Sequence, residues 1–248
     1  MVDFVASDGL RLHVETAGPA EGPAVVLVHG LAGTTALQWT APRIIERLAA
    51  EGVHVIAFDL RGHGKSDAPH DDSRYSDARC AQDLTDVTNA FAGSDAVVAG
   101  YSMGAAFTLL ALEAGLQCKA AVVGAAAPAV LRWSDADRAT RDVAVAALDR
   151  TGAPNPALDG WLAFLTAIGA DRAAMAAVLK NHAPVVRDWS RIAVPVTVAA
   201  GAGDTMAAAP ADIASRLANA RVVSLPGDHI SASATAEFLQ AILDEVQR

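Results

Sequence analysis

The chain has 248 residues, 52% of them hydrophobic and 19% charged, which suits one large domain with a well-buried core and room for an inserted subdomain. Its formal net charge of −9 argues against nucleic acid and anionic membrane surfaces as partners, since neither is drawn to a negative field. Cys80 and Cys118 lie far apart with no His or Cys cluster beside them, so the sequence offers no metal pattern and no disulfide framework.

The stretch Met1-Val2-Asp3-Phe4 lacks the basic start and apolar core of a signal peptide. The apolar runs are broken by Pro or Gly before they reach bilayer-spanning length. The expectation is a soluble, cytoplasmic protein, monomeric or homodimeric. Residues 3–16 read as a hairpin around the turn Ser7-Asp8-Gly9. Ala24 to Val28 is continuously apolar, as a strand buried on both faces should be, and it runs into His29-Gly30-Leu31-Ala32-Gly33. The pattern predicts a helix from about Pro42 to Ala50, then a buried strand His54–Phe58 that ends in Asp59-Leu60-Arg61-Gly62-His63-Gly64-Lys65-Ser66. Ser76 is placed to cap a helix whose apolar positions include Leu84, Val87 and Phe91.

Asp95 to Tyr101 forms the next strand, and a helix follows Ser102 to about Ala114, stopping at Gly115. Between them the chain spells Gly100-Tyr101-Ser102-Met103-Gly104. A turn this tight holds Ser102 in a strained conformation with its hydroxyl at the tip, and a side chain at either glycine would collide across it. The N–H of Met103 sits at the free start of the helix, where donors are unpaired and negative charge is favoured. One turn therefore offers a nucleophile and an anion-stabilising donor.

After a strand over Lys119–Gly124, strands vanish from about Pro128 to Arg191 and short helical patterns replace them. Ser134-x-x-Asp137 resembles a capping box, and Asn155-Pro156 a cap with a first-turn proline. The expected division is a core of residues 1–128 and 191–248 with a helical cap over 129–190. The cap's apolar side chains include Trp133, Trp161, Phe164 and Leu165, the candidates to line a substrate pocket. The sheet resumes at Val194–Ala200, ending in Gly201-Ala202-Gly203-Asp204. A helix over about Pro210–Ala218, a strand Arg221–Leu225, Pro226-Gly227-Asp228-His229 and a terminal helix complete the chain. Alternating strands and helices imply a parallel sheet covered on both faces.

A serine hydroxyl needs a base within hydrogen-bond reach. His29 and His63 follow sheet strands and are rivals for that role, though both sit in Gly-bracketed turns. His229 follows the last strand, at the sheet edge where open parallel sheets bind ligands, and Asp204 ends the preceding strand on the same edge, placed to orient it. The bland alternative is that Asp204 merely caps the next helix near Met206.

With these motifs in this order the chain resembles the α/β-hydrolase fold superfamily over nearly its whole length. The resemblance rests on His29-Gly30, Asp59-x-Arg61-Gly62-His63-Gly64-x-Ser66, the Gly100–Gly104 turn, Gly201-x-x-Asp204 and Gly227-Asp228-His229. It implies an eight-stranded, mostly parallel sheet with Ser102 as nucleophile, Asp204 as acid and His229 as base. It also implies an oxyanion hole from the N–H groups of Leu31 and Met103, with no cofactor or metal. His29 and the Arg61–Ser66 loop become structural supports. Haloalkane dehalogenases and epoxide hydrolases of this fold carry Asp where this chain has Ser102. Small esterases and enol-lactone hydrolases look most similar, and a small-molecule ester, thioester or lactone is the implied substrate. C–C hydrolases, perhydrolases and acyltransferases share the triad, and a hydrolase-like ligand receptor is an alternative of another class.

Overall fold

The structure is a computed structural model that describes residues 2–151 and 155–248. Its strands are β1 (Val2–Val5), β2 (Arg11–Ala17), β3 (Ala24–Val28), β4 (His54–Phe58), β5 (Val97–Tyr101), β6 (Ala120–Gly124), β7 (Val196–Gly201) and β8 (Ala220–Leu225). They form one eight-stranded sheet in the order β1-β2-β4-β3-β5-β6-β7-β8. Only the β1–β2 and β2–β4 pairings are antiparallel. The N-terminal hairpin and the run of parallel strands are those expected from the alternation and the apolar stretches.

The helices are α1 (Ile44–Ala50), α2 (Asp77–Phe91), α3 (Met103–Glu113), α4 (Asp135–Asp149), α5 (Pro156–Ala167), α6 (Arg172–Asn181), α7 (Pro210–Ala214) and α8 (Ala236–Gln247). The continuous apolar run of β3 is explained by burial on two sides. Val26 and Val28 join Leu84, Val87 and Phe107 of α2 and α3 in one core. Val25 and Leu27 join Ile44, Leu48, Phe238 and Ile242 of α1 and α8 in another. That is the two-residue period of a strand serving both faces. Ser76 caps α2, Ser134 and Asp137 form a capping box on α4, and Asn155 caps α5.

Two local differences from the sequence reading matter for the site. The segment before α1 is an additional short helix of the π type, Thr35–Thr40, capped by Thr34. The helix expected from Pro42 begins only at Ile44, because Arg43 adopts a left-handed conformation at φ 64° that separates the two.

Buried Arg61 holds the hairpin to the body. Its guanidinium pairs with Asp83 of α2 at 2.5 and 2.7 Å and with Asp8 at the hairpin tip at 3.1 and 3.2 Å. Helices α4 to α6 lie between β6 and β7 in the chain and share a small core of Leu148, Leu165, Met175 and Leu179 that meets the main body at Ala32. Both ends of α6 are tied down, by His70 to Asp171 at 2.8 Å and by His182 to Asp77 at 2.7 Å. Among the described residues no helix is long and apolar enough to cross a membrane.

Candidate active site

Ser102 stands between β5 and α3 at φ 55°, ψ −117°, a strained conformation for a residue with a side chain, of the kind that costs about 1–3 kcal/mol. The surroundings impose it. A Cβ on Gly100 would lie 2.4 Å from both the Gly104 carbonyl oxygen and Thr108 Oγ1, and one on Gly104 would lie 2.3 Å from the Val28 carbonyl oxygen. Only glycines let α3 fold back this closely onto β5 and β3. The Ser102 N–H donates to the Gly124 carbonyl at 2.8 Å, which fixes the turn from the β6 side.

The loops after β7 and β8 bring two further side chains to this turn. His229 Nε2 lies 2.9 Å from Ser102 Oγ, and His229 Nδ1 lies 2.8 Å from Asp204 Oδ2. An ionised carboxylate can only accept, so Nδ1 carries the proton and Nε2 turns a lone pair toward the serine hydroxyl. The other oxygen of Asp204 accepts from the Met206 and Ala207 N–H groups at 2.9 and 3.0 Å. Asp204 thus faces the histidine and caps the following turn at once. Its neighbour in sequence, Asp228, is committed to its own loop, accepting from the Ile230 and Ser231 N–H groups and the Ser231 hydroxyl. Tyr101, immediately before Ser102, donates its hydroxyl to the His229 carbonyl at 3.0 Å. Burial raises its pKa above that of an ordinary tyrosine and so keeps the donor proton in place.

His29 and His63 do not reach Ser102 Oγ. His29 Nε2 accepts from the Leu60 N–H at 3.0 Å, leaving Nδ1–H to donate to the Gly30 carbonyl at 2.8 Å. That carbonyl also accepts from the Gly33 N–H at 3.0 Å. The Gly30 carbonyl and the Leu31 N–H belong to one trans peptide and point in opposite directions, so holding the carbonyl aims the N–H. The Leu31 and Met103 N–H groups donate to no other protein group among the described residues. Burial lowers the pKa of His29. His63 is pushed down to about 3, chiefly by burial and secondly by His29 beside it, the two rings lying 5.1 Å apart. Asp59 ties the neighbouring loops together, accepting from the Thr35 and Lys65 N–H groups at 2.7 and 2.8 Å.

A cavity of about 470 Å³ opens beside Ser102, walled by the Gly30–Pro42 loop, Phe164 and the His229–Ala234 loop. Of the four side chains expected to line it, Phe164 does and the other three do not. Leu165 is fully buried in the small core shared by the inserted helices, and Trp161 packs against that core. Trp133 lies against the His182 ring at 6.2 Å with the Arg141 guanidinium over its face at 5.9 Å. Successive positions on a helix face different ways, so Phe164 and Leu165 part company although adjacent. Leu37, Gln38 and Ile230, which the sequence did not single out, complete the wall.

The sheet order, the strained serine turn and the two loops that serve it define the α/β-hydrolase fold, and the comparisons with known proteins support the superfamily built on it. A family model described as "alpha/beta hydrolase fold" matches residues 23–143. A hydrolase from Pseudomonas aeruginosa PA01 superposes with a TM-score of 0.80 at 27% identity, over 100% of this chain and 98% of that one. The enol-lactonase from Burkholderia xenovorans LB400 gives a TM-score of 0.74 at 22% identity, over 100% of both chains. Among curated relatives, an epoxide hydrolase of Caballeronia sordidicola is 38% identical over 101 residues, 41% of this chain and 29% of that protein. A haloalkane dehalogenase of Mycobacterium marinum is 46% identical over 70 residues, 27% of this chain and 23% of that protein. The chain thus spans under a third of the length of either.

Proposed function

We propose that the protein is a serine hydrolase that cleaves a small ester, thioester or lactone through an acyl-enzyme. The observation that carries this reading is the unbroken hydrogen-bonded series Ser102–His229–Asp204, with contacts of 2.9 and 2.8 Å. Ser102 Oγ attacks the carbonyl carbon while His229 Nε2 takes its proton. The developing oxyanion meets the N–H groups of Leu31 and Met103. His229 then hands the proton to the departing oxygen or sulfur as the acyl–leaving-group bond breaks. Water, losing a proton to His229, attacks the acyl carbonyl, and His229 returns that proton to Ser102 Oγ as the bond to it breaks and the acid leaves. Asp204 stays ionised throughout and stabilises the imidazolium.

The nucleophile argues against the epoxide and haloalkane chemistry named for the curated relatives. A carboxylate attacking an alkyl carbon leaves an ester, which water can hydrolyse. A serine oxygen attacking the same carbon would leave an ether, which it cannot. We further propose that α4 to α6 act as a cap whose contribution to substrate choice runs through Phe164. The test is turnover of p-nitrophenyl esters and lactones, together with fluorophosphonate labelling. Hydrolysis with the label on Ser102 is expected, and an inert, unlabelled protein would overturn the reading.

A further inference from the structure

Gln38 stands in the cavity wall and its amide is used at only one end. The short π-type helix Thr35–Thr40 places it there. Its next residue, Trp39, is fully buried and stacks on Phe238 of α8 with ring centroids 6.2 Å apart. With that anchor fixed, Gln38 is turned to the cavity. Gln38 Oε1 accepts from the Gly30 N–H at 2.9 Å. A backbone N–H requires an acceptor, so the amide has one possible orientation and its Nε2 lies on the other branch. Among the described residues Nε2 makes no protein hydrogen bond. A Cβ on Gly33 would crowd both Gln38 Oε1 and the Gly30 carbonyl oxygen at 3.0 Å. None of the residues that line the cavity is Lys, Arg, Asp or Glu.

We propose that Gln38 is a positioning and specificity residue: Oε1 fixes the turn that presents the Leu31 N–H, and Nε2 donates to an uncharged oxygen beside the scissile carbonyl. This deepens the acyl-transfer reading and rests on it. The Gly30 residue is then held on both sides, its carbonyl by His29 and Gly33 and its N–H by Gln38. The turn cannot pivot about Gly30 to lose aim at the oxyanion. Among the described residues the cavity wall carries no Lys or Arg to neutralise a substrate carboxylate, so the preferred class is neutral esters or lactones bearing a hydroxyl, ether or carbonyl oxygen near the reacting centre.

The test compares p-nitrophenyl methoxyacetate with p-nitrophenyl butyrate, which exchange an ether oxygen for a methylene. Each rate is normalised to the ester's own hydroxide-catalysed hydrolysis. The wild type should favour the methoxyacetate about three- to tenfold, the range one neutral hydrogen bond supplies. Gln38→Leu should lose that preference. It should also lower kcat on the butyrate with little change in KM. The affinity for an alkyl trifluoromethyl ketone should fall by a similar factor, because that ketone captures Ser102 Oγ and places an oxyanion at Leu31. A residue that only supports the fold would shift melting without separating kcat from KM. If either the methoxyacetate preference or the wild-type ketone affinity survives in folded Gln38→Leu, the proposal falls. Should that variant not fold, Gln38→Glu keeps an acceptor for Gly30 and removes the donor. It must lose the preference, and its retention would overturn the claim. A wild type that carries the fluorophosphonate label on Ser102 but fails these arms refutes the role of Gln38 alone. An unlabelled, inactive wild type refutes the acyl-transfer reading itself.

Discussion

Replacing Asp204 by Asn exchanges one oxygen for an NH₂ group, and the structure decides which way that amide must face. In the native protein Oδ1 accepts from the Met206 and Ala207 N–H groups while Oδ2 faces His229 Nδ1. Asparagine has one acceptor to offer. If its oxygen stays with the two N–H groups, its NH₂ points at Nδ1 and forces the imidazole proton onto Nε2. The serine then faces a donor where it needs a base. The flipped amide would restore the tautomer but turn its NH₂ against two backbone donors, the Ala207 N–H buried and the Met206 N–H partly so. Each unpaired donor costs roughly 1–3 kcal/mol, so together they hold the correct form to a small minority. Losing the carboxylate charge opposite the imidazolium adds to this. A kcat loss on the order of 10⁴, or about 5.5 kcal/mol, matches what the same exchange does in other triads. Stability should change little, by about 1 kcal/mol, because the oxygen keeps its two backbone partners. That corresponds to a melting shift of roughly 2–4 °C for a chain of this size. Steady-state turnover and a thermal melt on the same preparation read both quantities. Near-normal turnover in a clearly destabilised variant would refute the reasoning and reduce Asp204 to a cap.

Phe164→Ala should change the ranking of acyl chain lengths at unchanged Ser102 labelling, whereas Trp161→Ala should lower the melting temperature and leave the ranking alone; a panel of p-nitrophenyl esters separates them, and the opposite pattern would contradict the cavity assignment. Arg61→Ala leaves buried Asp83 with only the longer contact to Arg79 at 3.3 Å, so unfolding free energy should drop by about 2–4 kcal/mol in a urea titration, and a loss under about 1 kcal/mol would mean the ion pair is not what holds the hairpin. His63 is neutral when folded and titrates near 3, while the unfolded chain takes up that proton near 6.5. Its contribution to stability is therefore full above pH 6.5 and is lost as pH falls toward 3, by about 2 kcal/mol at pH 5. Buried His29 adds loss of the same sign, and unfolding curves that do not move between pH 7 and 5 would contradict this burial.

Much of the fold was legible because its signals are local. The unbroken Ala24–Val28 run and the Gly100–Gly104 turn each report a backbone requirement within a few residues, and Asp204 and His229 each follow the end of a readable strand. What stayed hidden depends on packing between distant segments. Trp133, Trp161 and Leu165 read as apolar candidates for the pocket, yet none of the three is in the cavity wall. Gln38 meets Gly30 through an irregular helix turn that no periodicity marks, and Ile230 lines the wall only because the β8–α8 loop folds over β5. Asp204 shows a different limit. The orienting and capping roles read as rivals along the chain, yet one carboxylate has two oxygens and fills both.

The most direct measurement is acid quenching during turnover of a p-nitrophenyl ester, followed by peptide mass mapping. The account predicts the substrate's acyl mass on the peptide containing Ser102, absent from Ser102→Ala, and preceded by a burst of p-nitrophenol wherever deacylation is slower than acylation. An acyl group on another residue, or full turnover in Ser102→Ala, would contradict it.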